Sequence, residues 1–295
     1  MFGKKKTAAA EIDAKKLAED KDTGGRKPGP KVARLILFVC LAWSLFQLWI
    51  ASPLPFALGI GVLNDTQSRA VHLAFAIFLA FLTYPAFTRS PRSHVPVQDW
   101  VFALVGAFCA SYLFFFYREL ATRPGQPTDQ DLVVAVAGIA MLLEATRRAL
   151  GLPMVIVALV FLVYTFGGPY MPDLIAHKGS SLSRTMSHQW LTTEGVFGVA
   201  LGVSSGFIFL FVLFGSPLDR AGAGNYFIKS AFALLGHMRG GPAKAAVVSS
   251  AATGIISGSS IANVVTTGTF TIPLMKRVGY RPDQAGAVEV SSSVN

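Results

Sequence analysis

Seven residues of this chain carry chemistry most readily: Ser257, Gly258, Ser259 and Ser260, then Asn263, Thr266 and Thr267. Hydroxyl, amide and carbonyl oxygens are what a sodium ion takes, and Ser257, Ser260 and Asn263 offer three side-chain oxygens for one. Backbone amides at the start of a helix suit a carboxylate, so the same stretch can receive an anion, with Ser260 or Asn263 as a cap. No acid, base or nucleophile accompanies these residues at a catalytic spacing, which makes binding the chemistry they favour.

The elements around them must create free carbonyls and amides at that point. Residues 243–275 as one helix would measure roughly 50 Å, against a hydrocarbon core of roughly 30 Å. Ser257-Gly258-Ser259-Ser260 in the middle of the run is a poor helix interior, so a break is expected there. Each half then falls short of a full crossing, and together they form a re-entrant hairpin. Arg239 and Lys244 before the run, and Lys276 and Arg277 after it, put both ends on one side. Pro242 suits a helix start and Gly279 a stop. Non-helical backbone at membrane depth is tolerated only where protein or a polar cavity satisfies it, so the tip of the hairpin implies a site. The competing reading is that Ser, Thr and Gly serve close helix packing in lipid.

The rest of the chain is built for lipid: 52% of residues are hydrophobic and only 14% charged. Apolar blocks run over 32–51, 70–87, 100–117, 132–150, 152–171 and 196–218. None alternates with period 2, which sets aside a membrane β-barrel. The fold class expected is an all-α polytopic membrane protein, with about six transmembrane helices, a re-entrant helical hairpin and the start of a further helix. The net charge of +10 gathers near the N-terminus, where Lys and Arg outnumber acids and no aromatics are interleaved. That pattern suits anionic lipid beside a first helix and excludes nucleic acid as a partner; residues 1–31 are expected to be a disordered basic cytoplasmic segment. It is too long for a cleavable signal. Cys40 and Cys109 lie inside apolar blocks and are expected to be packed, neither bridged nor metal-bound.

With the N-terminus inside, Arg89 and Arg92, then Arg147 and Arg148, then Arg220, Lys229, Arg239 and Lys244 fall in cytoplasmic connections. The opposite loops balance their charges, and Trp190 in one of them suits the headgroup level. Glu144 stands one turn before Arg148. The pair reads either as an ion pair neutralising an acid at the lipid boundary or as a contact fixing two membrane modules together. Glu289 is likewise open between a functional intramembrane acid and a boundary acid paired with Arg281 or Lys276.

Two stretches, EATRRALGLP over 144–153 and GIISGSSIANVVTTGTFTIPLMKRVGY over 254–280, resemble the fused membrane component of tripartite ATP-independent periplasmic (TRAP) transporters. The second is similar to the first re-entrant hairpin of that permease. The resemblance implies a small four-helix subunit over 32–150 joined to the beginning of a large permease domain over 151–295. It also implies a secondary transporter of the bacterial inner membrane, taking up organic acids on a sodium or proton gradient, with substrate delivered by a periplasmic binding protein. Sodium would be the coupling ion, with no organic cofactor. Ser257, Ser259, Ser260 and Asn263 would border sodium and substrate sites, with Thr266 and Thr267 on the substrate path. Family members continue past the point matching Asn295 with a second, inverted hairpin, so residues 1–295 are read as an N-terminal fragment not expected to transport alone.

Two other classes compete. Gly202-Val203-Ser204-Ser205-Gly206 fits the G-x-S-x-G pattern of hydrolases, but that pattern needs a strand-to-helix elbow and here falls in an apolar helix. An ion or solute channel is the alternative within transport, although channels do not require a broken hairpin.

Overall fold

The computed structural model describes residues 24–87, 89–256 and 260–294, all in helices and connections with no strand among them. Among the described residues, five helices are long and apolar enough to cross a membrane. These are α1 (Pro30–Ala51), α2 (Asp65–Thr83), α3 (Val97–Phe115), then Leu152–Tyr170 and Val199–Leu218. Between the third and fourth lies α4 (Asp129–Leu150), which is long enough but carries Asp131, Glu144, Arg147 and Arg148. α5 (Leu152–Gly167) follows α4 after one residue, Gly151, whose φ of 88° turns the chain where a side chain would be strained. α6 is the Val199–Leu218 span, with Ser204–Ile208 wound as a π turn. α7 (Ala223–Leu235), α8 (Gly241–Ile256), α9 (Ser260–Arg277) and α10 (Pro282–Ser293) complete the order.

The helix starts obey local chemistry. Asn64 accepts from the Gln67 amide at 2.8 Å while the Gln67 side chain accepts from the Asn64 amide, and Thr128 and Asp131 make the same reciprocal cap on α4. Pro30 and Pro282 open α1 and α10, where a missing N–H costs nothing.

The chain forms two compact units that meet in sequence at Phe209 and Leu210. In the first, α2 and α3 pair closely and α4 packs on both. Leu73, Ile77, Phe81 and Leu82 of α2 meet Ala103, Ala110 and Leu113 of α3 in a closed core. Lipid gives helices no hydrophobic reason to associate, so close fit must hold them, and two glycines provide it. A Cβ at Gly106 would sit 2.6 Å from Ile77, and one at Gly138 would sit 2.3 Å from the Trp190 ring. Trp190 therefore lies at no headgroup surface. The segment Leu182–Met186 and the turn after it fold back against α4, burying the indole, whose Nε1 donates to the Cys109 carbonyl at 3.1 Å. Cys109 is packed as expected, whereas Cys40 is exposed on α1 beside Leu37, Phe38, Leu41 and Leu45. That face meets hydrocarbon, where exposure of apolar groups carries no penalty.

Residues 1–23 of the basic segment lie outside the described residues. Its end is held: the Arg26 amide donates to the Thr83 carbonyl at 2.7 Å and the Lys27 amide to that of Arg92 at 2.9 Å. The chain at Arg26 and Lys27 is thus tucked against the connection between α2 and α3 before α1 begins.

In the second unit α7 packs on α8, and α8, α9 and α10 pack on one another. Gly279, with φ 97°, closes the end of α9 where a stop was expected.

A polar seam inside the broken hairpin

The hairpin forms where the residues required it. α8 ends at Ile256 and α9 begins at Ser260, and Ser257, Gly258 and Ser259 of the intervening tip lie outside the described residues. The two helices fold back on each other, as one contact makes plain. Asn263 Nδ2 donates to the Ser250 carbonyl at 3.0 Å and to Ser250 Oγ at 3.2 Å, joining a position before the break to one after it. Asn263 is thus no helix cap; it sits one turn inside α9 and reaches across to α8. Ser260 is the first residue of α9 and is exposed. Thr266 lies in α9, with its side chain outside the described residues.

From Asn263 a seam of polar groups runs between α8, α9 and α10. Ser250 Oγ meets Ser293 Oγ at 2.7 Å, linking α8 to α10. On α9, Thr267 Oγ1 lies 2.8 Å from the Asn263 carbonyl and bonds Glu289 Oε1 of α10. One turn on, Thr271 Oγ1 lies 3.0 Å from the Thr267 carbonyl and bonds Glu289 Oε2. Ser250, Thr267, Thr271 and Glu289 are fully buried, and Asn263 is 1% exposed.

Two features separate this seam from ordinary packing. The Asn263 amide oxygen is buried and has no hydrogen-bond partner among the described residues. Swapping its amide oxygen and nitrogen would set oxygen against the Ser250 carbonyl, so the network fixes which atom is left over. A buried polar atom without a partner costs about 1–3 kcal/mol and calls for an explanation. Among the described residues Glu289, in turn, is held by the hydroxyls of Thr267 and Thr271. Arg281, a candidate partner by sequence, pairs instead with Asp283 at 2.8 Å, and no ion pair among the described residues involves Glu289.

Asn263 and Thr267 were both legible from sequence as polar residues on one face. Continuing their spacing by four gives Thr271, on the same face. Ser250 and Ser293 were not legible, because their partners lie on other helices.

The first unit buries polar groups differently. Asp99 is gripped by Arg26 and by Arg148, the latter at 2.8 Å, and Arg148 also bonds Glu144 at 2.7 Å. Glu144 is shared with Arg147, whose second amine donates to the Ala86 carbonyl at 2.8 Å. The Glu144–Arg148 pair is thus one link in a network joining the N-terminal segment, α3 and α4. Near the end of α1, Gln47 Nε2 donates to the Ser205 carbonyl in the π turn of α6 at 2.7 Å and lies 2.8 Å from His72 Nδ1. The Gly-x-Ser-x-Gly stretch is helical, and Gly202 makes room for the Arg69 guanidinium, 2.8 Å from where a Cβ would stand.

A family model described as the DctM component of tripartite ATP-independent periplasmic transporters matches residues 137–295, just over half of the chain. The chain is also similar to the C4-dicarboxylate TRAP transporter large permease protein DctM of Rhodobacter capsulatus, with 37% identity over 83 residues. That stretch is 28% of this chain and spans 19% of the relative's length. No solved structure matches.

Proposed function

We propose that this chain, which belongs to the DctM component family of tripartite ATP-independent periplasmic transporters, takes up organic acids on a sodium gradient through the hairpin of α8 and α9. The observation that carries the reading is the buried, unpartnered Asn263 oxygen one turn from the break. A sodium ion is bound by oxygens, and Asn263 Oδ1 is an oxygen with both lone pairs unused by protein donors. Ser257 and Ser260 precede it in sequence and are the other side-chain oxygens that this reading assigns to the ion, with carbonyls from the end of α8. Gly258, Ser259, Thr266 and the amide end of α9 border the path of the carboxylate, and Thr267 ties that path to α10. A half-helix N-terminus is a favourable place for an anion and a half-helix C-terminus for a cation, so one break serves both.

The substrate class we assign is the C4-dicarboxylate, the class named for the Rhodobacter relative. Delivery falls to a periplasmic binding protein. Residues 32–150 act as the small-subunit part and residues 151–295 as part of the permease domain, in the bacterial inner membrane. The N-terminus is cytoplasmic in this reading. Its support is that Arg26 and Lys27 bond the connection bearing Arg89 and Arg92, while Arg147 bonds the Ala86 carbonyl, so these cations share one end of the first unit.

The test is succinate uptake into proteoliposomes holding the full-length permease and its binding protein, with Asn263→Ala beside wild type. Losing a ligand worth a charge-assisted bond should raise the sodium concentration for half-maximal uptake by roughly tenfold or more. Unchanged sodium dependence removes Asn263 from the site; flux that neither saturates nor follows sodium favours a channel.

A further inference from the structure

Resting on that reading, we infer that Glu289 is the counter-charge of the cation held at Asn263, supplied by α10 from outside the hairpin. It is a positioning and electrostatic residue, one helix removed from the ion's ligands.

Hydrogen counting supports the assignment. Thr267 and Thr271 each own one hydroxyl hydrogen and each face two acceptors, a carbonyl four residues back and a Glu289 oxygen. Both carbonyls also belong to the helix ladder of α9, whereas the Glu289 oxygens have only these hydroxyls among the described residues, so an ionised Glu289 takes both hydrogens. The carboxylate is thereby clamped at two successive turns. Its seat is shaped for it: Gly268 lies between the two threonines, and a Cβ there would stand 3.2 Å from Glu289 Cγ. A fully buried acid with a built seat and no cationic partner among the described residues is expensive unless something balances it.

The charged groups on the packed elements do not supply that balance. Lys229 on α7, Lys244 on α8 and Lys276 and Arg277 on α9 are all exposed, and Arg281 is exposed and engaged by Asp283 beside α10. The nearest built polar group lacking a partner is Asn263 Oδ1, one helical turn from Thr267. Side chains at that spacing lie about 5–6 Å apart, so the carboxylate stands on the order of 8 Å from a cation at the amide oxygen. At an effective dielectric constant of about 20 this separation is worth roughly a 10- to 30-fold change in cation affinity. α10 also holds the other wall, since Ser293 bonds Ser250, which in turn holds the Asn263 amide.

Glu289→Gln and Glu289→Asp, measured in the same full-length proteoliposomes, separate charge from shape. Gln keeps the volume and can still bond both threonines, so a purely structural role would leave sodium dependence unchanged. We expect Gln to raise the half-maximal sodium concentration roughly 10- to 30-fold while KM for succinate at saturating sodium stays within about twofold, and Asp to hold sodium affinity within about threefold of wild type. Equal losses in Gln and Asp, or an unchanged sodium response in Gln, overturn the inference. Should Gln fail to accumulate, Thr271→Val decides, because it frees one carboxylate oxygen without touching the charge: a sodium affinity within about threefold supports the inference, and a loss of tenfold or more overturns it. An unchanged Gln response beside an impaired Asn263→Ala defeats this inference alone; if neither variant moves sodium dependence, the sodium site itself fails.

Discussion

Asp99 and Glu289 are both buried acids in an apolar chain, and their surroundings differ in kind. Asp99 has a guanidinium on each carboxylate oxygen, and each guanidinium continues to another acceptor. Glu289 has a hydroxyl on each oxygen, and beyond one of those threonines lies an amide oxygen with no hydrogen-bond partner among the described residues. The first arrangement is saturated and joins segments distant in sequence, which is what architecture requires. The second leaves one amide oxygen without a partner among the described residues, the gap that the proposed cation would fill. Burial alone does not separate the two roles; the bookkeeping of donors and charges does.

The sharpest way to test that contrast is to break the saturated network. Asp99→Ala should destabilise the protein by about 3–5 kcal/mol, because it strands two buried guanidiniums. The thermal midpoint in detergent should fall accordingly, with the sodium response of whatever folds unchanged; a variant as stable as wild type would mean the network is ornamental. Gln47→Leu comes next. It leaves the Ser205 carbonyl without its donor and removes one partner of His72, a loss of about 1–3 kcal/mol by the same measurement. Asn263→Ala should cost least in stability, about 1 kcal/mol, since only half of its amide is bonded, while costing most in sodium affinity. If Asn263→Ala destabilised as strongly as Asp99→Ala, the seam would be architecture too.

Much of this was legible in the residues. The break after Ile256 followed from a run too long for a bilayer with Ser-Gly-Ser-Ser at its centre, and the close of α9 from Gly279. Asn263 and Thr267 stood out because i and i+4 share a face. Trp190 misled for a physical reason: an indole in a loop between spans suits a headgroup surface, but Gly138 opens a slot on α4 that the ring fills. The reach of Glu144 was likewise understated, since its neighbours Arg147 and Arg148 were visible while Asp99 and Arg26 were not.

Local interactions explain the division. Hydropathy, block length, helix caps and glycine turns act over a few residues, so the spans, the broken hairpin and the polar character of its tip are written in the sequence alone. Thr267 meets Glu289 across 22 positions, Asn263 meets Ser250 across 13 and Arg26 meets Asp99 across 73. Those pairings depend on which helix faces pack together, and side chains of the same type elsewhere in the chain would have looked equally eligible. Only the tertiary structure decided that Asn263 spends its nitrogen on α8 and keeps its oxygen free, because that outcome depends on where the Ser250 carbonyl comes to rest.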